Sequence, residues 1–157
     1  MDFDMFVAGC LFTSYCAEKE RVLKLEGKEK MNFCIRFYRC KLCGKIIVIV
    51  NESGVPTICC GEAMDELKPL VADEGLEKHV PVIKQDGNLV IVSVGEKHHP
   101  MTKDHHIEWI VLLTDKGIQK RFLCPGDEPR AVFALIEGES IIGAYSYCNI
   151  HKLWKDS

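Results

Sequence analysis

The 157-residue chain has no basic excess: 20 Lys and Arg stand against 23 Asp and Glu, a formal charge of -3. A nucleic-acid or membrane-surface binder would carry a positive balance, so neither partner is expected. No uncharged run reaches the ~20 residues a spanning helix needs. No segment keeps a helical period, and no internal repeat is present. A secreted disulfide frame is missing too, because the cysteines number nine and are unevenly spread. Low hydrophobicity is not among the deficits: 47% of residues are apolar, which excludes wholesale disorder and suits one ordinary domain or two small ones.

What is plentiful is metal-ligand chemistry, with nine cysteines beside six histidines. Such a set reads as ligands held in a reducing cytoplasm. The first thirty residues stand apart. Met5 to Ala17 is uncharged, and Val7-Ala8-Gly9-Cys10 is like a bacterial lipoprotein cleavage box. Asp2 and Asp4 occupy the place where a signal peptide carries Lys or Arg, so export is not expected. Residues 1–32 are read as an extension, with Met31 as the native start; the codons for Glu26 to Glu29 could spell a ribosome-binding site.

From Phe33 onward the chain reads as short strands. Ile46–Val50 is β-branched, and Asn51 to Gly54 has turn chemistry. Strands are expected at Leu89–Val94 after the Asp86-Gly87 turn, then at Ile107–Leu113, Gln119–Leu123, Ala131–Ile136 and Ile141–Tyr147. The class is all-β: a small cysteine module over 33–68, then an antiparallel sandwich over 77–157. Asp65 to Lys78 is charged, contains Pro69 and Gly75, and reads as the connection, with 69–76 as the linker proper.

Cys40 and Cys43 form a C-x-x-C closed by Gly44, a knuckle that aims both sulfurs at one centre. Cys59 and Cys60 are adjacent and would project to opposite faces of a regular strand. They can share a metal only if the chain bends, which Gly61 permits. A thioredoxin-type redox pair would open a helix, whereas this motif leads into the strand Ile46–Val50. Four thiolates suit tetrahedral zinc or iron, and spacing does not choose between them. Cys10, Cys16, Cys34 and Cys124 have no matching partners and read as buried or free thiols.

The histidines are His79, His98, His99, His105, His106 and His151, all in the second half, and Cys148-Asn149-Ile150-His151 adds a C-x-x-H. His99 directly precedes Pro100, and Pro81 follows shortly after His79, so prolines hold both segments extended. Four imidazoles plus one thiolate would make five ligands, leaving one octahedral position of an iron open for catalysis.

These segments together resemble the desulfoferrodoxin family of two-iron superoxide reductases. Phe37 to Gly44 and Cys59 to Met64 are similar to its desulforedoxin-like, rubredoxin-type module. Glu77 to Pro81, His99-Pro100-Met101, His105 to Trp109 and Cys148 to His151 are similar to its neelaredoxin-type catalytic domain, an immunoglobulin-like β-sandwich. The resemblance implies two irons: one on Cys40, Cys43, Cys59 and Cys60, and a catalytic one with His79, His99, His105 and His151 in a plane and Cys148 axial. The family ligand precedes proline, which selects His99 over His98. It also precedes an aromatic residue, which selects His105, with His106 departing from the pattern at the aromatic position. Lys78 resembles the cation that attracts superoxide and organises proton delivery, and Glu77 the carboxylate that closes the resting site. A rubredoxin-type donor and a homodimer are further implications. The competing readings are a non-catalytic iron carrier or metal-binding protein, which would need neither the open position nor the Glu77-Lys78 pair, and a zinc-loaded regulator.

Overall fold

β-branched and aromatic runs divided by tight turns favour strands, and every regular element among the described residues is a strand. The computed structural model describes residues 35–51, 53–71, 78–95, 97 and 99–156. Of the two units into which the chain divides, only Ile35–Ser157 contains described residues. The lipoprotein-like box, the Met31 start, Cys10, Cys16, Cys34, Glu77 and His98 lie outside them.

The first sheet places β1 (Arg36–Arg39) between β2 (Ile46–Ile49) and β5 (Asp65–Leu67), both antiparallel to it. A short hairpin, β3 (Ile58–Cys59) and β4 (Glu62–Ala63), sits between them in sequence. Charge made Asp65 to Leu67 read as part of a connection. It is a strand because pairing with Phe37 to Arg39 satisfies its backbone, while Asp65 and Glu66 stay exposed and Leu67 packs inward.

The sandwich has two antiparallel sheets. One orders β10 (Arg130–Ala134), β7 (Leu89–Val94) and β6 (Pro81–Asp86); the other orders β12 (Lys152–Lys155), β11 (Ile141–Cys148), β8 (Ile107–Thr114) and β9 (Gly117–Phe122). The β6–β7 turn is Gly87-Asn88, with Gly87 at φ 57°, the positive value a two-residue type II′ loop requires at its first position. Val90, Val92 and Val94 of β7 and Ala131 and Phe133 of β10 meet Ile107, Ile110 and Leu112 of β8 and Ala144 and Cys148 of β11 in the core between the sheets.

A second core lies on the other side of β8 and β11. Trp109, Val111, Leu113, Tyr145, Tyr147 and Leu153 pack there against Ile35 and Phe37. Phe37 stacks on Trp109 at 5.3 Å and tilts against Tyr145 at 5.4 Å. The small sheet therefore covers the outer face of the larger one. Strict alternation would put Ile107 on the same face as Trp109. A register shift between Tyr147 and Cys148, which pair with Trp109 and Ile107, is a bulge that turns Ile107 to the inner core.

Phe37→Ala should lower stability by about 3–5 kcal/mol, as for other buried aromatic truncations. Urea unfolding checks this, and a loss under ~1 kcal/mol would mean that the small sheet contributes little to the shared core.

Candidate metal centres

The first centre is built from turns. Cys60 and Gly61 join β3 to β4 with φ 53° and 84°, and a type I′ loop needs positive φ at both central residues. The bend expected of Gly61 thus begins at Cys60 itself, and it brings the adjacent sulfurs onto one side, 3.9 Å apart. Across the centre Cys43 Sγ lies 3.7 Å from Cys59 Sγ. A tetrahedron of metal–sulfur bonds of ~2.3 Å would separate its sulfurs by about 3.8 Å. Gly44, at φ 74°, donates its N–H to the Cys40 carbonyl and closes the knuckle. Backbone N–H groups of Cys43 and Leu42 hold the Cys40 thiol down to about 7, whereas sharing hydrogen bonds with Cys43 and Cys40 pushes Cys59 up to about 12. Full deprotonation of the cluster therefore calls for a cation among the sulfurs. Cys40 is buried, and Cys43 and Cys60 are exposed. Cys124 is exposed and lies in neither cluster.

The second centre gathers side chains from distant parts of the chain. Ligand atoms of His79, His99, His105, Cys148 and His151 all lie within 4.8 Å of one another. The imidazoles form a four-membered ring of neighbours. Centroid distances are 4.6 Å for His79–His99, 4.6 Å for His99–His105, 4.9 Å for His105–His151 and 4.5 Å for His151–His79. Neighbouring rings are steeply inclined, and the opposite pair His79 and His105 lies 6.1 Å apart at 29°. Cys148 Sγ lies 3.6 Å from His151 Nδ1. His106 stays outside the group.

Each ligand is held by its own local device. His99 Nδ1 bonds the Pro100 carbonyl at 2.6 Å, which leaves Nε2 free. The His79 carbonyl accepts the Ser146 hydroxyl at 2.9 Å, and its ring stacks on the fully buried Trp154 at 4.9 Å. Trp154 also donates its indole N–H to the His151 carbonyl, tying two ligands together. Gly95 sits against the backbone of Lys78 and donates its N–H to the Val80 carbonyl, so it brackets His79. Ser146, Trp154 and Gly95 were not singled out from sequence, where each reads as an ordinary strand or turn residue.

The ring nitrogens His79 Nδ1 and Nε2, His99 Nε2 and His105 Nε2 are buried without hydrogen-bond partners. Burial, and then the neighbouring imidazoles, lower His79 to about 4; His99 falls to about 4 by burial, against the opposing pull of the Pro100 carbonyl. His105 is lowered by the same kind of burial. Neutral rings with orphaned lone pairs are the form in which imidazole binds a metal. Burial raises Cys148, while the backbone N–H groups of His151 and Ile150 pull it back. This donor set fits a single transition-metal ion.

Two family profiles match the chain: Desulfoferrodoxin over residues 71–157 and the Desulfoferrodoxin N-terminal domain over 35–67. The chain belongs to the desulfoferrodoxin family. The four-cysteine and His4Cys groups match that family's two iron sites. The desulfoferrodoxin homologue of Archaeoglobus fulgidus is 42% identical over 125 residues, covering 80% of this chain and 98% of that protein. The superoxide reductase of Thermococcus kodakarensis is 41% identical, covering 51% of this chain and 84% of its own length. The crystal structure of the superoxide reductase from Treponema pallidum superposes with a TM-score of 0.66 at 31% identity, covering 78% of this chain and 97% of that one.

Among the described residues, no helix is long and apolar enough to cross a membrane. Two outcomes are expected. The metal-free protein should lose stability as pH falls below about 6.5 toward 4, because the unfolded chain takes up protons that His79 and His99 refuse while folded. Urea midpoints at pH 7.5 and 5.5 check this; equal midpoints contradict it. Gly95→Ala places a Cβ 2.5 Å from the Lys78 carbonyl oxygen at φ 80°, so backbone must shift. Iron at the His4Cys centre should be held about tenfold or more weakly, with the four-cysteine centre unaffected; unchanged iron binding at both centres would refute this.

Proposed function

We propose that the protein is a superoxide reductase, converting superoxide, one electron and two protons to hydrogen peroxide. The observation that carries this reading is the ring of four neighbouring imidazoles, those of His79 and His99 buried, gathered with the Cys148 thiol so that five donor atoms lie within 4.8 Å of one another. These five donors would hold an iron and leave it able to take up one small anion. When bound, ferrous iron supplies the single electron.

The chain's own residues do the rest. His79, His99, His105 and His151 would hold the ion without adding negative charge, which would leave the site attractive to an anionic substrate. Cys148 would supply a thiolate to the ion, whose negative charge would favour departure of the product anion. Lys78 is exposed, and its charge reaches the imidazoles of His79 and His105. Its ammonium Nζ draws the anion in and holds protons beside it. Glu77 is proposed as the carboxylate that covers the resting centre. An external donor, a rubredoxin-type protein, would supply the electron that each turnover consumes. That need for a donor separates a reductase from a dismutase, which takes its second electron from another superoxide.

Around this chemistry we place 33–68 as the desulforedoxin-like module, 69–76 as a linker, 77–157 as the catalytic domain and 1–32 as an extension. The protein works as a cytoplasmic homodimer.

An anaerobically reduced sample given a superoxide pulse should be oxidised at a near-diffusional rate with matching peroxide yield; slow oxidation sinks the reading. Cys148→Ser should abolish that reaction and leave the absorption of the four-cysteine centre unchanged.

A further inference from the structure

Asn149 lies inside the C-x-x-H turn, between two ligands, and the chemistry above gives it no task. Its side chain nonetheless reaches across to the segment that carries a third ligand. Oδ1 accepts the His106 N–H at 3.0 Å, and Nδ2 donates to the Asp104 carbonyl at 2.8 Å. Its own backbone N–H donates to the His106 carbonyl at 3.2 Å. All three bonds end on the residues flanking His105. They span more than forty residues of chain, so nothing local substitutes for them.

The His105 segment has little other anchorage at this point. Within it, Thr102 Oγ1 accepts the His105 N–H at 3.1 Å and the Thr102 N–H reaches the His105 carbonyl at 2.9 Å. Those bonds tie His105 to Thr102, beside Met101, whose carbonyl accepts the Gly126 N–H at 2.8 Å and whose side chain packs on the core, but none of them reaches another ligand. Asp104 is exposed and His105 and His106 are only partly buried, so packing alone does not lock them. Beyond them, Ile107 is fully buried in β8 and its N–H meets Met101 Sδ at 3.3 Å. The segment that holds the ligand is anchored on the Met101 side, and Asn149 is what joins it to the turn of Cys148 and His151.

We propose that Asn149 is a positioning residue that clips the His105 ligand onto the Cys148–His151 turn and so fixes three of the five donors relative to one another. The proposal rests on reading the five donors as the catalytic iron site. A side chain that orients ligands without binding metal typically changes metal affinity by about 10–100-fold when removed. A bond lost only from the general fold would change stability and leave the ligand field alone.

The test loads the full-length protein with iron and compares wild type, Asn149→Ala and Asn149→Asp. Asn149→Asp keeps an acceptor for the His106 N–H and loses the donor to Asp104. Three quantities are read: iron retention against a competing chelator, the thiolate-to-iron absorption of the His4Cys centre, and the absorption of the four-cysteine centre as internal reference. Expected are a 10–100-fold loss of retention and a shifted thiolate band in the alanine variant, a smaller loss in the aspartate variant, and an unchanged reference in both. If the alanine variant does not fold, a loss and band shift in the aspartate variant still support the clip. Wild-type retention and band position in the folded variants overturn it, as does a loss shared equally by both centres. If wild type itself holds no iron at the His4Cys group, the reading of the site falls as well, so the two failures are distinguishable.

Discussion

Burial of β8 and β11 on both faces is the constraint on which the rest of the structure depends. Residues of one parity along these strands face the sheet of β6, β7 and β10, and those of the other face the small sheet of β1. Both strands are consequently apolar almost throughout, with Ile110 to Thr114 and Gly143 to Cys148 buried without interruption. Side chains attached at the ends of strands gripped in this way have little freedom. Cys148 ends β11 and His151 follows it in the turn to β12, whereas His105 stands two residues before β8 and is tied to that turn through Asn149. The four-cysteine module has a structural task whatever its redox role: without Phe37 and Ile35, the surface of Trp109, Val111, Tyr145 and Tyr147 would face water.

The two centres are assembled on different principles. The cysteine centre needs one knuckle and one two-residue turn, and the Cys43–Cys59 and Cys59–Cys60 sulfur pairs already stand at tetrahedral spacing. The histidine centre draws on four separated segments, and the fold bears its cost. Each buried imidazole nitrogen left without a partner costs about 1–3 kcal/mol, and four such atoms lie on three ligand rings, two of them on His79. An ion would recover the part of that free energy carried by one lone pair per ring, so folding and metal binding reinforce each other. Trp154, Ser146 and Gly95 hold His79 in place, and their packing keeps the rings from relaxing into hydrogen-bonded positions elsewhere.

Much of the fold was legible from residue order. The runs at Ile46, Leu89, Ile107 and Ile141 became strands close to their expected bounds, because β-branched stretches between turns have few alternatives. Asp65 to Leu67 was not legible as a strand, since an edge strand with solvated side chains carries hardly any apolar signal. Among adjacent histidines, Pro100 and the family pattern pointed to His99 and His105, and His105 does stand in the ring while His106 stands outside it. The bulge at Glu108 left no mark in the apolar pattern that separates it from ordinary alternation.

The sequence by itself determined the chemistry available: sulfur ligands clustered by turns, imidazoles beside prolines and strand ends, and enough β-branched residues to build a sandwich. These are local properties, fixed by side-chain type and by backbone preferences a few residues long. Only the tertiary structure decided which imidazoles share a centre, which ring nitrogens face it, and which bystanders hold them. Those outcomes depend on distances between segments such as Asp104 to His106 and Asn149. Spacing along the chain does not encode such distances; sheet register and the packing of two cores do.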